Sequence, residues 1–137
     1  MKILLFMVDV LRKDVPYEFD DAVKRVEEAC ESEGFGLQLT KGLHDILKQK
    51  RGIEDYPKFT VILVCNPDLA KTALEISKDI GTIFPCSFTV YEEDGKVKVA
   101  HISIMKAGVE LGLAPKDAMK ELIEETSMRV KKVWEKI

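Results

Sequence analysis

The chain has 137 residues, of which 46% are hydrophobic and 33% charged, a composition typical of one globular domain rather than a disordered protein. Its 24 acidic and 21 basic side chains are interleaved and give a net charge of −3, which argues against the clustered basic surface of a nucleic-acid-binding protein. No segment reaches the roughly 18 apolar residues that span a bilayer, and three cysteines fit no complete disulfide set, so we expect a cytoplasmic protein without a membrane partner.

The N-terminal third predicts a strand followed by a helix. The apolar run of residues 3–8 ends at Asp9 and has no signal-peptide cleavage pattern, so it predicts a strand. Apolar residues at helical spacing predict a helix over residues 18–33, which Gly34 ends. Cys30 lies on the apolar stripe of this helix, and we interpret it as core packing.

The next segments predict two more strands with a short helix between them. Residues 35–39 alternate between apolar and polar, as in a short strand. Thr40 is placed to cap a helix that continues to Gly52. Residues 59–64 form a continuous apolar run rich in β-branched side chains, which predicts a central strand buried on both faces.

The clearest helix start in the sequence follows this strand. Asn66 is a typical N-cap, Pro67 a typical first helical residue and Asp68 an acidic residue in the first turn. Apolar residues at helical spacing continue to Ile80, and Gly81 predicts the end of the helix. The sequence therefore predicts a helix that returns the chain along the sheet.

A β-hairpin is predicted around Asp94-Gly95, the strongest short signal for a two-residue turn. If these two residues form the turn, Phe88 is paired with His101, and Val90 with Val99. In that register Cys86 lies on the same face of the sheet as His101. A turn that is one residue longer would reverse the face of one strand.

The C-terminal residues 115–137 predict one long amphipathic helix, because apolar residues recur along a single stripe. The stripe consists of Ala118, Met119, Leu122, Ile123, Thr126, Val130, Val133, Trp134 and Ile137. This helix can cover the sheet, contact a second subunit, or do both. The predicted fold is a single α+β domain over residues 1–137, a two-layer sandwich with a mixed sheet of about five strands and helices on one face.

Cys65 is the first candidate for chemistry, because it ends a strand immediately before a helix N-terminus. Unpaired amide groups and the helix dipole favour a thiolate at that position, which makes Cys65 a candidate nucleophile or ligand. Asp68 opposes this effect by adding negative charge in the same turn.

Cys86 is the second candidate, because it follows Pro85 at the start of the next strand. If the two strands are parallel neighbours, Cys65 and Cys86 are separated by the length of a strand. If they are antiparallel, the two thiols are close. The sequence leaves both arrangements open, and it also leaves open that the cysteines are small apolar residues packed beside prolines.

A metal site is a third hypothesis, in which Cys65, Cys86 and His101 hold zinc or copper with an open fourth position. The cysteines lack the paired C-x-x-C spacing of a typical zinc site. The sequence also lacks a phosphate-binding glycine loop and the common hydrolase motifs. The identity of any metal or cofactor is therefore unknown at this point.

Several short motifs in the chain resemble one known family. They are, in order, Glu-Gly-Phe-Gly at residues 33–36, Tyr56-Pro57, Cys65-Asn66-Pro67, Ile80-Gly81, Pro85-Cys86, Val90-Tyr91 and Asp94-Gly95-Lys96-Val97. Over roughly residues 17–103 this pattern resembles the family called domain of unknown function 302. The resemblance implies a small dimeric α+β domain without a settled biochemical role. The family often has asparagine where this chain has Ser87, and Asp-Pro where it has Ser103-Ile104.

These observations give two functional hypotheses. In the first, the protein binds a small ligand or metal or acts in thiol redox chemistry, with Cys65 as the reactive thiol and Cys86 as its partner. Asn66 orients this site, and the remaining candidate ligand-binding residues are Pro67, Pro85 and His101. In the second, the protein is a non-enzymatic homodimeric module in which the C-terminal helix forms the interface and the cysteines are only packed.

Overall fold

The computed structural model describes Val8 and residues 10–137. The strand predicted at residues 3–8 lies outside the described residues, except for Val8. The elements are β1 (Val10–Val15), α1 (Phe19–Ser32), β2 (Gly36–Gly42), α2 (Leu43–Arg51), β3 (Phe59–Cys65), α3 (Pro67–Ile76), a 3-10 helix (Lys78–Ile83), β4 (Cys86–Glu93), β5 (Lys96–Ile102), α4 (Ile104–Glu110) and α5 (Lys116–Lys136). β1 and α4 were not predicted from the sequence.

The five strands form one sheet in the order β1-β5-β4-β3-β2, and every neighbouring pair is antiparallel. The α+β class, the five strands and the long C-terminal helix are confirmed, but the predicted mixed sheet is wrong. The reason lies between β3 and β4. There α3 and the 3-10 helix return the chain to the end of the sheet from which β3 left it, so β4 starts beside the end of β3.

The sheet has one face covered by helices and one open face. On β3, Thr60, Ile62 and Val64 are buried, whereas Val61 and Leu63 between them are only half-buried. The prediction that β3 is buried on both faces is therefore wrong. We call the surface formed by Val61 and Leu63 of β3 with Thr89 and Tyr91 of β4 the open face.

The predicted hairpin and its register are confirmed. Glu93 pairs with Lys96, Val90 with Val99 and Phe88 with His101. Asp94 and Gly95 have φ angles of 54° and 73°, the combination that a two-residue type I′ turn requires.

The first two helices begin and end close to their predicted positions, with one correction. Gly34 has a φ of 84° and follows α1, and Phe35 N–H donates to the Cys30 carbonyl at 3.0 Å, which is a Schellman ending. Thr40 does not cap α2, because it lies inside β2 and its hydroxyl donates to Glu27 Oε2 at 2.5 Å. Gly42 precedes α2 instead.

The helix after Asn66 is shorter than predicted. It ends at Ile76 rather than Ile80, and the chain continues as the 3-10 helix that contains Gly81. The hydroxyl of Ser77 donates to the Leu113 carbonyl at 2.6 Å. This bond ties the junction of the two helices to the segment that precedes α5.

The long helix α5 begins after Pro115, as predicted. It packs against α1, α3 and α4 of the same chain, so most of its apolar stripe is already buried; Ala118 is an exception and is exposed. Across the part of the chain that the structure describes, no helix combines the length and apolarity needed to cross a membrane.

Candidate functional site

A small cleft lies where β3 ends, α3 begins and β4 starts. Its cavity volume is about 20 Å³, which is enough for one water-sized group. It is lined by Phe35, Val64, Cys65, Asn66, Leu69, Ala70, Phe84, Pro85, Cys86, Ile104, Met105 and Thr126. We call this feature the cysteine cleft. Its walls are mostly apolar, with a few polar groups placed among them.

The antiparallel arrangement places both candidate cysteines in this cleft. Val64 pairs with Cys86, and Cys65 is the next residue of β3. All three cysteines of the chain are free thiols, so Cys65 and Cys86 are neighbours but not a disulfide. Their environments differ, because Cys65 is half-buried and Cys86 is buried.

Burial makes two of the three thiols poor nucleophiles. It raises the pKa of Cys86 to about 12, with a smaller contribution from nearby Cys65. Burial also raises the pKa of Cys30 to about 12, with smaller contributions from Cys86, Glu31 and Glu27. Since the thiolate is the reactive form, Cys86 does not have the character of an activated redox partner. Cys30 is buried in the core, as its position on the apolar stripe of α1 predicted.

The predicted helix cap at Asn66 is confirmed. Its Oδ1 accepts a hydrogen bond from the Leu69 N–H at 3.1 Å. Pro67 is the first residue of α3 and contributes no N–H, and it does not line the cysteine cleft. The start of α3 therefore has fewer amide donors available to Cys65 than an uncapped helix without proline would have.

A close approach behind the cap involves Gly34 and Arg129. A Cβ atom placed on Gly34 would lie 3.1 Å from Asn66 Nδ2 and 3.6 Å from Arg129 Nη1. Arg129 is held on α5 by an ion pair, with its Nε donating to Glu125 Oε1 at 2.8 Å. Glycine at position 34 thus gives the Asn66 amide the space in which it caps α3.

Thr126 supplies an unusual polar atom in the wall of the cleft. Its side chain is 4% exposed, and its Oγ1 has no hydrogen-bond partner among the described residues. A buried hydroxyl without a partner is uncommon, because its desolvation is not offset. Thr126 lies on the apolar stripe predicted for the C-terminal helix and was not predicted as a site residue. The sequence does contain a signal for this site, because Thr126 places a hydroxyl at a position of the stripe where an apolar side chain is expected.

His101 lies outside the cysteine cleft. Its ring stacks on Phe88 with centroids 4.1 Å apart, and its Nδ1 is 2.8 Å from the Ser87 carbonyl. Because a carbonyl only accepts, Nδ1 is the protonated nitrogen and Nε2 carries the lone pair. Burial lowers the pKa of His101, and the bond to Ser87 opposes this shift. No group of three or more potential metal ligands comes together among the described residues, so the hypothesis that Cys65, Cys86 and His101 bind a metal gains no support.

The fold and the cleft define a small α+β domain with one antiparallel sheet and two thiols in one cleft, Cys65 before a helix and Cys86 at the start of a strand. The family model described as Domain of unknown function DUF302 matches residues 11–137, so the chain belongs to this family. The match is longer than the resemblance over residues 17–103, and it includes nearly all of β1 and the whole of α5.

One similar solved structure is the crystal structure of uncharacterized conserved protein DUF302 from Bacillus stearothermophilus. It is 24% identical in sequence, the alignment covers 93% of this chain and 96% of that chain, and the TM-score is 0.81. This similarity shows the fold. No curated protein matches the sequence.

Proposed function

We propose that this protein binds a small ligand whose polar end group enters the cysteine cleft. The observation that carries the proposal is the buried Thr126 hydroxyl, which lines the cleft and lacks a partner. A ligand group with a hydrogen-bond donor or acceptor would satisfy this hydroxyl, and the apolar walls would contact the rest of the end group. The volume of the cleft favours a small neutral group such as a hydroxyl.

In this proposal the two thiols have different roles. Cys65 is half-buried at the cleft and contacts the ligand, whereas Cys86 is a buried wall residue. The high pKa of Cys86 argues for ligand binding rather than thiol-disulfide exchange between the two residues. A cytoplasmic location, predicted from the sequence, suits a protein with free thiols.

Replacing Thr126 by valine should separate a binding role from a structural one. Valine has nearly the shape of threonine but no hydroxyl to desolvate, so the free energy of unfolding should rise by about 1 kcal/mol. Methanol, whose hydroxyl has the size of one water molecule, serves as the probe for the cleft. At high concentration it should slow the alkylation of Cys65 by iodoacetamide in the wild-type protein, and this protection should be lost in Thr126→Val.

Thr72→Val is the matched control, because the Thr72 hydroxyl is on the exposed side of α3 and bonds to the Asp68 carbonyl at 3.1 Å. It should leave the protection of Cys65 unchanged. Equal protection of Cys65 in wild-type protein and Thr126→Val would contradict the proposal, and so would the absence of protection in the wild-type protein.

A second candidate function is that of a homodimeric module, and the open face favours it. Val61 and Leu63 lie there beside Thr89 and Tyr91 of the next strand, and all four are half-buried rather than buried. The edge of this face carries both basic and acidic side chains: Arg12, Lys58, Lys96, Glu92, Glu93 and Asp94. A two-fold axis can place the basic part of one copy against the acidic part of the other. We place the second copy here rather than on α5, whose apolar stripe is largely buried within the chain.

Leu63→Lys should disrupt this dimer. The wild-type protein should sediment as a dimer at micromolar concentration in analytical ultracentrifugation, and Leu63→Lys as a monomer, because the substitution buries a charge in the apolar centre of the interface. Leu111→Lys is the control, since Leu111 is 65% exposed and follows the end of α4 rather than lying on a strand. A monomeric wild-type protein would exclude the dimer, and a dimeric Leu63→Lys would exclude this face.

A further inference from the structure

A second, larger cavity lies between α4, α5 and the β1 edge of the sheet. The described residues enclose about 840 Å³ there, within the range of roughly 300–1,000 Å³ that is common for ligand pockets. It is separate from the cysteine cleft and shares only Thr126 with it. We call it the lysine groove, after the side chains at its edge.

The walls of the lysine groove are apolar, whereas its charged groups are mostly basic. Its main apolar lining residues are Leu11, Val109, Ile123, Val130 and Trp134. Its charged lining residues are Lys106, Lys116, Lys131 and Glu110, an excess of positive charge in a chain whose net charge is negative. His101 and two serine hydroxyls add polar contacts. This combination suits a ligand with an apolar body and one negative charge.

The tryptophan of the groove is held in place by a further lysine. Lys13 Nζ donates to the Trp134 carbonyl at 2.7 Å and lies 4.9 Å from the centre of the Trp134 ring. Burial lowers the pKa of Lys13. The ammonium group of Lys13 therefore interacts with Trp134, and the lysines that a ligand would contact at the edge of the groove are Lys106 and Lys131.

We propose that the lysine groove binds a monocarboxylate amphiphile, with the carboxylate at Lys106 and Lys131 and the apolar chain along Ile123, Val130 and Trp134. As in other ligand pockets, burial of the apolar chain supplies most of the binding affinity, and the charged groups orient the ligand. This site does not depend on the ligand proposed for the cysteine cleft.

Trp134 makes the proposal directly testable, because it is the only tryptophan of the chain and lines the groove. Decanoate, added below its micelle concentration, should change the Trp134 fluorescence saturably. Decyltrimethylammonium has an alkyl chain of nearly the same length with the opposite charge, and it should bind more weakly. Lys131→Glu should weaken decanoate binding by about tenfold or more, equivalent to 1.4 kcal/mol or more, because it removes an attraction and adds a repulsion.

Lys120→Glu is the matched control, since Lys120 is exposed on the same helix but does not line the groove. It should bind decanoate like the wild-type protein, and both variants should unfold at a wild-type denaturant concentration because both positions are exposed. Three results would each overturn the proposal: no saturable change with decanoate, equal affinity for the cationic amphiphile, or equal losses in Lys131→Glu and Lys120→Glu. Binding to anionic lipid vesicles without binding of free decanoate would overturn it as well.

Discussion

Alkylation of the native protein at pH 8 should modify Cys65 at least about a hundredfold faster than Cys30 or Cys86. The last two thiols are buried and have pKa values of about 12, so only about one in ten thousand is ionised at this pH. Cys65 is half-buried and accessible at the cysteine cleft. Burial and the raised pKa values both slow the reaction of Cys30 and Cys86, so their difference from Cys65 should be large.

The measurement is a time course with iodoacetamide, with each cysteine quantified by mass spectrometry. In denaturant the three residues should react at similar rates, which calibrates their intrinsic reactivity. The variant Cys65→Ser should lose the fast phase of the native protein completely. If Cys86 in the native protein reacts as fast as Cys65, its role as a buried wall residue is refuted. That result would instead support thiol redox chemistry between Cys65 and Cys86.

Gly34→Ala should destabilise the protein by about 2–3 kcal/mol. Part of this, about 1–2 kcal/mol, is the strain of a side chain at a φ of 84°. The rest follows because the new methyl group would lie 3.1 Å from Asn66 Nδ2 and push against the side chain that caps α3, and a lost cap costs about 1 kcal/mol. Chemical denaturation measures the total.

Gly52→Ala isolates the first part of this effect. Gly52 also has a positive φ, 67°, at the end of a helix, but a Cβ placed there would meet no atom within 4 Å. It should lose only the strain energy, and its Cys65 alkylation rate should match that of the wild-type protein. Gly34→Ala should change that rate, because Asn66 is next to Cys65. Equal stability losses and equal alkylation rates in the two variants would contradict the coupling of Gly34 to the site.

The elements that were predictable from the sequence are those that local chemistry determines. Asp94-Gly95 determines the turn of the hairpin and with it the register of β4 and β5. Asn66 and Pro67 determine the start of α3 in the same way. In both cases a few adjacent residues carry the structural information, so no knowledge of the tertiary structure was needed.

The direction of β4 relative to β3 was not predictable, because it depends on the path of the chain between Pro67 and Pro85. A helix of the predicted length could have carried the chain to either end of the sheet. The end of α3 at Ile76 and the turn into the 3-10 helix determine that β4 runs antiparallel to β3. Ser77, at this turn, is hydrogen-bonded to the Leu113 carbonyl, 36 residues away. A long-range contact of this kind leaves no local pattern in the sequence.

The candidate site was predictable in part. The positions of Cys65, Asn66, Pro85 and Cys86 beside helix and strand ends identified one wall of the cysteine cleft. Thr126 comes from a helix 40 residues beyond Cys86 in the sequence, and only packing brings it to the same place. His101 was expected beside Cys86 and lies on the same face of the sheet, but it stacks on Phe88, its Nδ1 donates to the Ser87 carbonyl, and it lines the lysine groove rather than the cysteine cleft.

The strand order has a consequence for how the chain folds. β4 and β5 are joined by a two-residue turn, whereas β1 reaches β5 across 84 residues, as the bond between Lys98 and Asp14 illustrates. Closing a loop of that length costs on the order of 4 kcal/mol in chain entropy. We therefore expect β1 to join the sheet late, after the hairpin has formed its free edge. Until then β5 exposes that edge, and the β1 strand of a second nascent chain can add to it by domain swapping.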